Sequence, residues 1–242
     1  MIYQLDGTPP DTRFPDPRLA ETDPNGLLAM GGDLSPRRLL SAYSQGVFPW
    51  FSEDQPLLWW SPDPRTVLYP QQVHISHSLR RQMRQGGLVL RTDTAFDDVM
   101  AGCAAPRADQ DGTWILPSMR EAYNALHESG VAHSIELWQG KQLVGGMYGV
   151  ALGGAFFGES MFSRVSSASK IVMVFLCREL MRYGYRFLDC QVYNPHLARM
   201  GAIDIPRERF LLELQQALLI PAEPGLWSAP PVDCAELCDF QK

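Results

Sequence analysis

The chain has no pair of cysteines at a redox spacing and no cysteine–histidine set at a metal-ligand spacing. Its five cysteines, Cys103, Cys177, Cys190, Cys234 and Cys238, are an odd number, which argues against a disulfide framework and leaves reduced, mostly buried thiols. No apolar run reaches the length of a bilayer, and the N-terminus lacks the basic, apolar and small-residue series of a secretory signal. A soluble, cytoplasmic protein is expected. Excess positive charge is missing too. With a formal charge of -6 over 242 residues, the chain is no general nucleic-acid binder, and a polyanion must meet a local basic patch. Neither GxGxxG nor GxxxxGK[ST] occurs, so the Gly31–Gly32 pair is not a phosphate loop. Internal repeats and low-complexity runs are absent as well.

What is there centres on Gly154 to Val192, which reads as one β-α-β unit. Along the strand Ala155 to Met161, side chains repeat every second residue, so Glu159 and Met161 are expected on one face. Ser166, Ser167 and Ser169 offer caps for a helix that runs to about Tyr183 and stops at Gly184. Its apolar stripe is Met173, Leu176, Cys177 and Leu180. In the next strand Leu188, Cys190 and Val192 point one way, while Tyr185, Phe187, Asp189 and Gln191 point the other. An acid and an amide beside aromatics are costly without partners. One solution is a solvated sheet face. The other, favoured by Glu159, Met147 and Met161 nearby in the pattern, is a pocket where polar groups and flexible apolar side chains converge.

Upstream, residues 1 to about 24 are rich in Pro and Asp and are expected to lie extended on the surface. Ser35, Pro36 and Gly46 frame a short helix whose inner face is Leu39, Leu40 and Tyr43. Phe48, Trp50 and Phe51, then Trp59 and Trp60, form either a small core or a stacking platform for bases. This first unit ends near Asp63, which divides the chain into residues 1–63 and 64–242. A strand is expected at Val67 to Tyr69. A helix opened by Ser76 carries Arg80, Arg81 and Arg84, a basic patch that is either a solvated face or a contact for an RNA backbone. Helices follow at Asp93 to Cys103 and at Pro117 to Ser129, with Trp114 in the loop between them. Three antiparallel strands begin at His133, with turns at Gly140 and at Gly153–Gly154. Beyond Gln191, short helices start at Pro195 and Pro206. The five histidines, scattered along the chain, read as structural.

Helices, a three-stranded meander and a helix crossing to another strand is the order of an α+β chain whose main domain resembles the acetyltransferase-like (GNAT) fold. That superfamily binds the coenzyme A pyrophosphate on a glycine-rich turn at a helix N-terminus. Here that place reads FSRVSSASK, so the acyl group is expected to arrive on another carrier.

From about residue 24 to 192 the motifs PNGLLAMGGDLSP, GVFPWF, WWSPDPR, GTWI, HSIELW, LVGGMYGV, GESMFSR, ASK and LDCQV occur in order. Together they closely resemble the leucyl/phenylalanyl-tRNA–protein transferases. The resemblance implies transfer of Leu or Phe, and Met less well, from aminoacyl-tRNA to the α-amine of proteins that begin with Arg or Lys, marking them for degradation. It implies no metal and no organic cofactor. It places Asp189 and Gln191 at the reacting centre, with Gln191 holding the amine, Asp189 orienting Gln191 and Glu159 positioning the network. Met147, Phe156, Met161, Met173 and Leu176 are the implied pocket for the transferred side chain. Trp50, Trp114, Tyr43 and Tyr123 are implied around the terminal adenosine, and Arg80, Arg81 and Arg84 at the acceptor stem. His77, where relatives can carry a basic residue, and the Ser-Ser-Ala-Ser-Lys helix start depart from the pattern. The rival readings are a GNAT-like transferase with another acyl carrier, such as a peptidoglycan-type aminoacyl transferase, and a noncatalytic tRNA- or degron-binding module.

Overall fold

The structure, a computed structural model, describes residues 2–106, 115–222 and 224–240. Four short strands, β1 (Tyr3–Gln4), β2 (Leu27–Met30), β3 (Phe48–Pro49) and β4 (Leu58–Trp60), form a sheet in the order β1-β2-β4-β3. Helix α1 (Pro36–Ser44) lies between β2 and β3 in the chain, and the Ser35 side chain accepts the Arg38 N–H at its start, as the Ser-Pro pair foretold. Phe48 and Trp59 are buried while Trp50 is exposed, so the aromatic cluster divides between a core and a surface.

An eight-stranded sheet begins at β5 (Arg65–Leu68). It continues with α2 (His77–Met83), β6 (Leu88–Thr92), α3 (Phe96–Ala104), α4 (Pro117–Glu128), β7 (Ala132–Gln139), β8 (Gln142–Leu152) and β9 (Ala155–Ser163). Then come α5 (Ala168–Arg182), β10 (Phe187–Gln191), α6 (Pro195–Ala198), β11 (Ile203–Ile205), α7 (Arg207–Ala217) and β12 (Val232–Asp233). The strand order is β11-β5-β10-β9-β8-β7-β6-β12. The meander β7-β8-β9 is antiparallel, and α5 crosses to β10, which pairs parallel with β9. This is the acetyltransferase-like order expected from the sequence.

Two apolar clusters cover the two faces of the sheet. One gathers residues of α1, α3, α4 and α7, with Tyr148 and Phe157 from the strands. The other gathers α2, α5 and the C-terminal segment, with Met147, Phe156 and Leu188 from the strands. The C-terminal segment is docked here: Leu226, Cys234 and Leu237 are buried and β12 pairs with β6.

Three local expectations are corrected. The helix foreseen from Asp93 starts at Phe96, because Asp93 takes a left-handed φ of 53°. At the start of α5 no serine of the 166–169 group caps the helix through its side chain; the Ser169 N–H is accepted by the Ser163 hydroxyl at 2.9 Å. In β9 the strict alternation fails. Tyr148 pairs with Ser160 and Gly149 with Gly158, which leaves Glu159 as the extra residue of a β-bulge. Glu159 stays on the side of Phe157, facing Tyr43 and Tyr123, and the bulge puts Met161 on the opposite face.

Gly149, across from the bulge, has no room for a side chain: an added Cβ would overlap the Phe157 carbonyl oxygen. Backbone cannot yield as a flexible side chain does, so Gly149→Ala is expected to cost about 1–3 kcal/mol of stability, measurable by urea denaturation.

Candidate active site

β9 and β10 run side by side only as far as the pair Asp189–Phe157. Beyond it β9 continues to Ser163 and pairs with β8, while β10 ends at Gln191. The strands part there and open a crevice at the carboxyl end of a parallel pair, the place where open α/β sheets bind ligands. Glu159 and Gln191 face each other across it, and the Gln191 Nε2 donates to Glu159 Oε1 at 2.8 Å.

Asp189, fully buried just below, binds Arg65, itself fully buried, through both oxygens. Arg65 Nε donates to Oδ1 at 2.9 Å and Nη2 to Oδ2 at 2.6 Å. Arg65 Nη1 donates to the Gly46 carbonyl at 3.1 Å, and the guanidinium lies over the rings of Phe48 and Phe210, 4.8 and 4.4 Å from their centroids. Two parallel bonds in a dry site make a strong and strictly oriented ion pair. Asp189 Oδ1 also accepts the backbone N–H of Gln191 at 2.9 Å. That bond holds Gln191 at a φ of 65°, a conformation a non-glycine residue adopts only when its surroundings impose it. Asp189 thus orients Gln191 through its backbone, and Glu159 through its amide.

Glu159 accepts from Tyr43 Oη at 2.7 Å and from Tyr123 Oη at 2.9 Å. Burial in this aromatic setting is the main cause that pushes its carboxyl up to about 7, and the nearby Asp189 charge adds to it, against the hydrogen bonds that favour the anion. The same burial, with the Glu159 charge next, holds the Tyr43, Tyr123 and Tyr148 hydroxyls well above the usual phenol range. Tyr43 and Tyr123 have no exposed surface. Neither presents a ring face at the surface, and both hydroxyls are bonded to the acid.

The implied side-chain pocket is brought together in part. Met147, Phe156, Met173 and Leu176 are buried in the α5-side cluster, with partly exposed Met161 against it. They share a region but lie on the far face of the sheet from the Glu159–tyrosine group, so the two sets do not line one pocket on one face. Trp50 is 49% exposed, and its backbone carbonyl accepts the Trp60 indole N–H at 2.6 Å. Trp114 lies outside the described residues. Of the basic residues, Arg81 and Arg84 are exposed. Arg80 is instead spent on the tail, donating to the carbonyls of Cys238 at 2.7 Å and Phe240 at 3.2 Å.

Arg65 was missed as a site residue. Its only signal was its place in WWSPDPR, since nothing local says that an arginine in a strand answers an acid 124 positions later. Folding also gathers Asp93, His127 and His133 within reach of a shared cation, a closeness that sequence spacing hid. Hydrogen bonds already engage the three: His133 Nδ1 with Asp93 Oδ2 at 2.6 Å, His127 Nδ1 with the Ala132 carbonyl at 2.8 Å, and the Ser134 N–H with Asp93 Oδ1 at 2.7 Å.

An acetyltransferase-like sheet order whose parted strands hold a tethered amide against an acid, without the glycine-rich turn for coenzyme A, fits the class of acyl-transferring enzymes. Known proteins narrow that class. Residues 67–215 match the leucyl/phenylalanyl-tRNA protein transferase family and residues 32–63 its N-terminal domain. The leucyl/phenylalanyl-tRNA–protein transferase of Alkalilimnicola ehrlichii is 55% identical over 93% of this chain and 88% of its own, and that of Nitrosospira multiformis 58% over 85% and 89%. The chain belongs to this family and is an aminoacyltransferase. Among solved structures, L-PGS from Bacillus licheniformis is 11% identical with a TM-score of 0.40, covering 69% of this chain and 54% of its own. A GCN5-related N-acetyltransferase from Kribbella flavida is 9% identical with a TM-score of 0.34, covering 68% and 59%.

The Arg65–Asp189 pair sets the first test of this site. Arg65→Met leaves a buried carboxylate uncompensated and is expected to cost about 3–5 kcal/mol, whereas Arg65→Met with Asp189→Leu costs much less; urea denaturation of the two variants measures the difference.

Proposed function

We propose that this enzyme moves Leu or Phe, and Met less well, from aminoacyl-tRNA to the N-terminal α-amine of proteins that begin with Arg or Lys, marking them for degradation. The observation that carries the reading is the tethering of Gln191. Its backbone N–H is fixed by Asp189 and its Nε2 by Glu159. Among the described residues its Oε1 takes part in no hydrogen bond, and is left to accept from an incoming amine. An aminoacyl ester is already activated, so holding the amine nitrogen against the ester carbonyl supplies most of what the reaction needs.

Met147, Phe156, Met161, Met173 and Leu176 take the transferred side chain. Thioethers adapt to the unbranched Cβ of Leu, Phe and Met, and β-branched Ile and Val fit poorly. Trp50 offers its exposed face to the terminal adenosine, and Trp114, outside the described residues, is the second candidate for it. Arg81 and Arg84 meet the acceptor stem. Arg80 acts one step back, tying α2 to the tail. No organic cofactor or metal enters the step.

In an assay with charged tRNA and an Arg-starting peptide, Gln191→Ala is expected to lower transfer of Leu by about 100-fold. Val- and Ile-tRNA are expected to be poor donors and acetyl-CoA to be none; transfer from acetyl-CoA in place of tRNA would overturn the reading. A second expectation separates the arginines. Arg81→Ala/Arg84→Ala flattens the dependence of tRNA affinity on log salt by about 1 for each phosphate no longer neutralised, while Arg80→Ala leaves that slope unchanged and lowers thermal stability.

A further inference from the structure

Around Glu159 the hydrogen bonds outnumber the protons available to an ionised acid. The Tyr43 and Tyr123 hydroxyls contact each other, Tyr43 contacts Glu159 Oε1, and Tyr123 contacts Glu159 Oε2. Three oxygen–oxygen contacts close a ring, and each needs one proton to be a hydrogen bond. A phenol carries one proton, an ionised carboxylate none, and a neutral carboxyl one. With Glu159 ionised the ring is a proton short, and one contact brings two oxygens together with nothing between them. With Glu159 neutral all three contacts are hydrogen bonds. The fourth bond to the acid, from Gln191 Nε2, comes from outside the ring and is compatible with both states.

The groups facing this acid are few. Tyr43 comes from α1, Tyr123 from α4 and Tyr148 from β8, whose buried hydroxyl has no hydrogen-bond partner among the described residues. Cys103 of α3 lies near Tyr148. Asp189 of β10 adds a negative charge, already paired with Arg65 of β5. Asp189 is a poor place for a proton, since neutralising it would strand the buried guanidinium. The Gln191 amide is no base. Burial holds the Glu159 carboxyl at about 7, close to the ordinary range of an α-amine.

We propose, resting on the aminoacyl-transfer reading above, that Glu159 carries the proton of the reaction and that the Tyr43–Tyr123 pair holds the carboxyl in place to do so. The amine lone pair forms the C–N bond to the ester carbonyl carbon, and the proton that the nitrogen sheds passes to the Glu159 carboxylate. The C–O bond to the ribose then breaks, and the same proton goes to the departing ribose oxygen. Atoms and charge balance, and Glu159 ends ionised as it began. Taking the proton completes the ring; giving it up reopens it. Glu159 is a catalytic residue on this account, and Tyr43 and Tyr123 are positioning residues.

Infrared difference spectra of the enzyme labelled with carbon-13 glutamate read the proton directly. A protonated carboxyl band that is absent from Glu159→Gln is expected to appear as pH falls through about 7. The phenol hydrogen bonds favour the anion, so in Tyr43→Phe/Tyr123→Phe the band's midpoint moves to higher pH, and a limb of the pH–rate profile moves with it. Transfer by the wild type rises with pH through the same midpoint, since only the ionised form accepts a proton. Glu159→Gln is expected to lower transfer by about 100-fold and to abolish that limb, leaving the ionisation of the amine substrate. A Glu159 carboxyl that stays ionised down to the ordinary glutamate range overturns the proposal, as does Glu159→Gln with an unchanged profile, and in both cases the aminoacyl-transfer reading survives. A wild type that transfers nothing from charged tRNA at any pH overturns that reading and this one together.

Discussion

The buried pairing of Arg65 with Asp189 is the interaction on which the rest of the molecule depends. It joins β5 to β10 by side chains where the strands are already paired by backbone. Through the Gly46 carbonyl and the rings of Phe48 and Phe210 it also joins the segment after α1 and the helix α7 to the sheet. A buried ion pair is weak evidence for stability, because desolvation offsets much of the attraction. Its worth here lies in orientation. Both Asp189 oxygens are committed, so the carboxylate is a fixed acceptor for the Gln191 N–H, and a residue in a strained conformation stays where the crevice needs it.

A second constraint acts on the same crevice from the other strand. One extra residue in β9 breaks the alternation after Glu159, which stays with Phe157 on the side of the tyrosines, so that Met161 lies on the opposite face. The bulge therefore separates a polar set from an apolar one. Acid and phenols lie on the α1 and α4 side, the methionines on the α5 side. The polar members of the site bond to one another, and the apolar members gather in the α5-side cluster.

The C-terminal segment shows how a surface element is kept in place. Helix α2 carries the exposed Arg81 and Arg84, and the tail holds it through Arg80 and through the buried side chains of Cys234, Leu237 and Cys238. Arginines one position apart on a helix thus have different work, because only some point away from the body. Burial and partner, not residue type, separate a candidate phosphate contact from a structural strap.

Much of this architecture was legible along the chain. The meander, the crossing helix and the following strand came from apolar periodicity and from glycine turns, because local backbone preference and the burial of one face act over short stretches. The motifs identified the family, and Glu159, Asp189 and Gln191 were named from residue type and position in their strands. What the chain could not show was which groups meet. The partner of Asp189, the bonds that Tyr43 and Tyr123 make to an acid, and the capture of Arg80 by the tail all arise between residues far apart in sequence. The order of residues determined the elements and the chemistry available, because propensity and patterning are local. Only the tertiary structure decided the pairings, because a buried charge or hydroxyl takes its role from whichever partner the fold brings within hydrogen-bonding distance.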